Sequence, residues 1–122
     1  MSKKNIEKYI PEAIKVLNST FTDGVVPSAY NGYISSFGAS VIQSGLKPTL
    51  ALFENTNAST KEDKSYLTKI ILKVLDSNTT ENSLLKYILE NEKNEEYLKQ
   101  QILDIAVAVK LSIRTFELKK GE

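Results

Sequence analysis

Glu92, Glu95 and Glu96 form the one dense carboxylate cluster of the chain. At helical spacing their oxygens suit a hard divalent cation. The same three residues at the start of a helix place negative charge at the positive end of its dipole, which needs no metal. We expect this second arrangement. Histidine and cysteine are both absent, which removes the commonest general base, the usual transition-metal ligands and the thiol nucleophile. No glycine-rich phosphate loop and no nucleophile elbow occurs. Serines and lysines are so plentiful that a Ser–Lys pair can be drawn almost anywhere, so it singles out no site. The expectation is a protein without catalytic residues, metal or cofactor.

Basic residues offer different chemistry. Lys69 and Lys73 stand one helical turn apart, as do Lys110 and Arg114, so each pair points to one side of its helix. Lysine and arginine spaced in this way can track backbone phosphates, whereas the same residues on a bundle's rim can simply solubilise it and lay their stems along its surface. Lys47, at a helix corner, is a weaker member of the set. Tyr30, Tyr33, Tyr66 and Tyr97 could stack on bases as aromatics do in single-strand binders. At these spacings they are better explained as core or edge residues.

The elements that would position these groups are helical throughout. Ile6, Ile10, Ala13, Ile14 and Leu17 stripe a first helix that begins near Lys3 behind Ser2, with Pro11 inside it as a kink or second start. Asp23-Gly24 before Val-Val-Pro is a turn signal leading to a second helix. There Tyr30, Tyr33, Ile34, Phe37, Val41 and Ile42 form the apolar stripe, and Gly32, Ser36 and Ala39 a ridge of small residues suited to a close helix approach. Gly45 ends that helix as a left-handed cap, and Pro48 fits the first turn of the next, Leu46–Phe53. Asn55 to Thr60 is a polar loop. Ser59 with Glu62, or Thr60 with Asp63, makes a capping box for a helix striped by Tyr66, Leu67, Ile70, Ile71, Val74 and Leu75. Asp76 to Thr80 is a second loop. Leu84, Leu85, Ile88 and Leu89 mark a short helix. Leu98, Ile102, Ile105, Ala106, Val109, Ile113 and Phe116 mark a long final one. The fold class is all-α: a single helical domain over residues 1–122, built as a bundle of five to six helices.

Composition restricts the function further. With 41% apolar and 25% charged residues, the chain has the make-up of an ordinary soluble globular protein. It shows no apolar N-terminal run of a signal peptide. Its most apolar stretch, Ile102 to Ile113, is too short to span a membrane. A cytoplasmic address is expected. The net charge of +1 argues against tight, free-standing RNA binding, which calls for a strongly basic domain. The charge is nonetheless uneven: residues 1–22 carry four lysines against two carboxylates, and residues 77–96 two lysines against five. Opposed basic and acidic regions suit contacts between copies, or one face turned to a phosphate backbone.

Tyr30, Gly32, Phe37, Val41, Ser44, Gly45, Leu46, Leu50, Ala51, Leu52 and Phe53 form a pattern that resembles the small helical subunit of the Cmr (type III-B) CRISPR effector complex. Chain length and the long C-terminal apolar helix agree with it. Of the aromatic-basic ending frequent in that family, this chain offers Arg114 and Phe116 but no tryptophan. The resemblance implies a non-catalytic subunit that stacks in several copies beside the backbone subunits and lines the path of the guide–target RNA duplex in antiviral defence. Its partners would be the other Cmr subunits, copies of itself, and guide and target RNA within the complex, with no membrane partner. Lys69, Lys73, Lys110, Arg114 and Lys47 are the expected RNA contacts. Three alternatives stand beside this reading: the small subunit of the related type III-A (Csm) complex, a helical regulator that binds a small molecule in its core, and a divalent-metal enzyme built on Glu92–Glu96.

Overall fold

Lys3–Thr20 forms the first helix, α1, and runs unbroken through Pro11. Pro11 is exposed, so water can satisfy the carbonyl that loses its amide partner. The computed structural model describes residues 3–55 and 64–119, the last three by backbone alone. Five further α-helices follow among these residues: α2 (Ala29–Ser44), α3 (Leu46–Phe53), α4 (Ser65–Leu75), α5 (Leu84–Leu89) and α6 (Glu95–Ile113). A single 3-10 turn, Glu92–Asn94, leads into α6. The expected capping boxes at residues 59–63, the Ser2 cap and most of the Asn55–Thr60 loop lie outside the described residues.

The all-α bundle read from periodicity is the observed architecture. Helix α6 is its axis, packing against α1, α2 and α4, while α3 bridges α2 and α5. The expected stripe of α6 is buried from Leu98 to Ile113, and Asp104, Ala108 and Ser112 are buried beside it. A helix wrapped on several sides must be covered around most of its circumference. Aromatic pairs fix the centre: Phe37 meets Phe53 edge-on at 5.4 Å between ring centroids, and Phe21 meets the buried Tyr30 at the same distance. Such contacts add to what burial alone contributes.

The structure departs from the sequence expectations in four places. Val25–Pro27 forms a short strand, β1, and pairs in parallel with β2, Glu117–Lys119. Asp23 Oδ1 accepts the Val25 amide hydrogen at 3.1 Å and Gly24 takes a φ of 76°, which turns the chain into an extended segment. Three-residue strands are too short to show an alternating pattern. Secondly, the ridge of Gly32, Ser36 and Ala39 is exposed, and among the described residues no heavy atom lies within 4 Å of a Cβ built on Gly32. No helix approaches there, because α2 packs on α6 through its opposite side. Thirdly, Ile42 is 72% exposed and Leu89 48%; both lie near helix ends, where the stripe runs past the last covering neighbour.

The fourth departure concerns Gly45. Its φ of 97° is positive as expected, but ψ is 164°, outside the left-handed helical basin and in a region open essentially to glycine. The Gly45 amide closes α2 by donating to the Val41 carbonyl at 3.0 Å, and its carbonyl accepts the Thr49 amide at 3.3 Å to start α3. The Thr49 hydroxyl also donates to that carbonyl at 2.8 Å and lies 2.7 Å from Ser40 Oγ. The corner is therefore bolted from both helices.

Glu54, just past α3, reaches the start of α5. Its carboxylate accepts the Ser83 hydroxyl and the Leu85 amide at 3.2 Å. Ser83 in turn accepts the Lys86 amide. An acidic group here satisfies helix-end donors that would otherwise lack partners.

Candidate nucleic-acid interface

The basic residues singled out in the sequence occupy three separate places. Lys47 stands at the helix corner and is claimed by the acidic cluster: its Nζ lies 2.7 Å from Glu92 Oε2 and 3.0 Å from Glu95 Oε1. The Glu92 hydrogen bond chiefly, and the Glu95 hydrogen bond next, hold the Lys47 ammonium above its ordinary pKa. These two carboxylates are thus spent on a lysine. No group of three or more acidic side chains arranged to hold a metal ion is present among the described residues. Glu95 and Glu96 occupy the first turn of α6, the placement favoured by the dipole.

Lys110 lies on the α2–α6 side of the bundle. It lines a shallow apolar groove with Ile34, Gly38, Ile42, Leu103 and Val107. Arg114 follows the last residue of α6 and is exposed. Arg114, at the C-cap, keeps helical backbone angles (φ −65°, ψ −15°), so Lys110 and Arg114 stand one turn apart at the end of α6.

Lys69 and Lys73 are brought together as expected, both exposed on α4. Lys69 Nζ sits 5.6 Å from the ring centroid of Tyr66, a cation–π distance that localises the charge. Across from them is a residue that the sequence reading passed over. Lys15 of α1 lines the same groove, together with Glu12, Ser19 and Thr20. None of the three lysines is within ion-pair distance of a carboxylate among the described residues. Glu12, Lys15 and Ser19 do form a polar face of α1 at helical spacing. What the sequence lacked was the knowledge that α1 and α4 are neighbours.

Of the tyrosines, Tyr30 is fully buried, Tyr33 and Tyr66 are half-buried, and Tyr97 is 67% exposed. Tyr87 donates its hydroxyl to Asp76 Oδ2 at 3.2 Å. Burial first, and the Asp76 charge next, push the Tyr87 phenol above its ordinary pKa. Asp104, which breaks the apolar run of α6, is buried, and its Oδ1 has no hydrogen-bond partner among the described residues.

Comparison with known proteins decides the lineage. Residues 3–111 match the family model described as CRISPR-associated protein (Cas_Cmr5). The chain belongs to that family. No curated protein and no solved structure matches it. The Cas_Cmr5 match covers α1 to α5 and all but the last two residues of α6, and ends before Arg114 and the β2 strand. The family resemblance of the Tyr30–Phe53 segment thus extends over nearly all of the bundle, and the protein is a CRISPR-associated accessory protein. Among the described residues no helix is long and apolar enough to cross a membrane.

Proposed function

We propose that the chain is a non-catalytic small subunit of a type III-B (Cmr) RNA-guided effector complex, where it stacks along the backbone subunits and lines the path of the guide–target RNA. The observation that carries this reading is membership of the Cas_Cmr5 family over residues 3–111. The charge layout supports it. A net charge of +1 is too low for a lone RNA binder, and suits a subunit that contributes a few phosphate contacts while its neighbours supply the rest. Lys69 and Lys73, with Lys15 opposite, are the contacts we assign to RNA, because among the described residues none of them is within ion-pair distance of a carboxylate. Base pairing would provide sequence recognition and the protein would supply shape and charge, as in another class of guided effector.

The α2–α6 groove, with Ile42 at its edge, faces a neighbouring copy of the chain in this reading. Lys110 then guides the docking by charge toward the acidic stretch 77–96 of the next copy. Lys47 keeps the acidic cluster and the helix corner together. Affinity purification of the tagged chain from its native cells tests the proposal: sibling effector subunits and a guide RNA should co-elute. Recovery of the chain without RNA or effector subunits would refute it.

A further inference from the structure

Lys69 and Lys73, though exposed, border a recess. They line a groove of about 480 Å³ between α1 and α4, into which Lys15 also projects. Its accessible apolar lining comes from the half-buried Val16 and Tyr66, with the buried Ile70 and Leu72 also in its wall, and Glu81 and Asn82 from the loop before α5 line it too. Phosphates on the outside of a duplex need only exposed cations, so contact with a duplex backbone does not call for such a recess. A concave site of this size, apolar within and carrying a few converging polar groups, is what small organic ligands occupy. Three ammonium groups against two carboxylates favour a ligand that carries negative charge. We propose that the α1–α4 groove binds a single nucleotide unit, its base lying against Val16 and Tyr66 and its phosphate held by Lys15, Lys69 and Lys73.

Two carboxylates in an otherwise cationic groove define the ligand further. Glu12 and Glu81 would repel a bare polyanion, but they can accept hydrogen bonds from an exocyclic amino group, as carboxylates do from cytosine N4. Glu81 Oε1 also accepts the Asn82 amide at 3.2 Å. Bases that carry an amino group are therefore preferred to uracil. The inference rests on reading Lys69 and Lys73 as phosphate contacts, and adds the recess and the base to it. The nucleotide is either free in solution or one residue of an RNA strand, and the chemistry recognised is the same.

Titrating the full-length, isotopically labelled chain with CMP, UMP, inorganic phosphate and a short cytidine oligoribonucleotide separates these sources by NMR. CMP should shift the amides of residues 15–20 and 66–73. It should bind about tenfold more tightly than UMP, the equivalent of one charged hydrogen bond. Phosphate alone should bind more weakly still. If the oligoribonucleotide displaces CMP from these amides, the site takes a strand residue; if it leaves them unmoved while CMP binds, it takes a free nucleotide. Ser19 is exposed, so Ser19→Trp should fill the groove and abolish the CMP shifts. If that variant misfolds, Lys15→Gln should weaken CMP binding in its place. Phosphate binding as tightly as CMP, or CMP shifts absent from the groove, would overturn the proposal. If no nucleotide binds, yet Lys69→Ala/Lys73→Ala still impairs target loading in the assembled complex, the phosphate reading stands and only the nucleotide pocket falls.

Discussion

Replacing Gly45 with alanine tests the corner that joins α2 to α3. A Cβ on Gly45 would meet only Pro48 Cδ, at 3.6 Å, which is ordinary van der Waals contact. The penalty is therefore conformational: at φ 97° and ψ 164° an L-residue sits in a region that costs about 1–3 kcal/mol. For a domain of this length each kcal/mol moves Tm by roughly 3–5 °C. Gly45→Ala should then lower Tm by about 3–15 °C. Gly45→Asn should be no better, since asparagine tolerates the left-handed helical basin but not a ψ near 160°. Gly32→Ala provides the contrast. Gly32 lies inside α2 with nothing among the described residues within 4 Å of its built Cβ, so alanine there should stabilise by about 0.4–1 kcal/mol. Thermal unfolding followed by circular dichroism reads all three. A Gly45→Ala protein as stable as wild type, or rescue by asparagine, would refute the backbone argument.

The alanine variant of Lys69, Lys73, Lys110 and Arg114 should keep a near wild-type Tm, because exposed charges contribute little to stability. Built into the assembled complex, it should load less target RNA and show a shallower salt dependence, by about 0.7 per lost single-strand phosphate contact in a plot of log affinity against log salt. Glu54→Ala removes the acceptor of the Ser83 hydroxyl and the Leu85 amide. Denaturant unfolding should show a loss of about 1–2 kcal/mol. Tyr87 and Lys47 both hold their protons more tightly when folded, so the unfolded chain has fewer bound protons at alkaline pH and stability falls as pH rises. The loss should begin as pH passes the ordinary tyrosine and lysine values of 10.0 and 10.5, and Tyr87→Phe should remove the tyrosine part of that slope.

Local patterns in the chain predict its helices well because each has a buried stripe at helical spacing. The stripe of α6, from Leu98 to Ile113, is buried as read. Gly45 was recognisable as a helix stop, since few other residues accept a positive φ. Long-range facts were not legible. Pairing of β1 with β2 joins segments some ninety residues apart, and neither is long enough to announce itself. The small-residue ridge on α2 has the composition of a helix contact, yet composition does not say which side a neighbour occupies. Pairing of Lys47 with two glutamates likewise depends on the 3-10 turn meeting the α2–α3 corner. The groove shows the same division. Lys69 and Lys73 were visible as a pair, whereas Lys15 joins them only through the packing of α1 on α4.

Photocrosslinking of target RNA inside the natively purified complex tests the central claim most directly. Target strands carrying 6-thioguanosine, bound to the complex and irradiated, should leave crosslinked peptides from α1 and α4 of this chain, around Lys15–Thr20 and Tyr66–Lys73. A complex that contains the chain and binds target RNA, yet yields crosslinks only to its other subunits, would contradict the account.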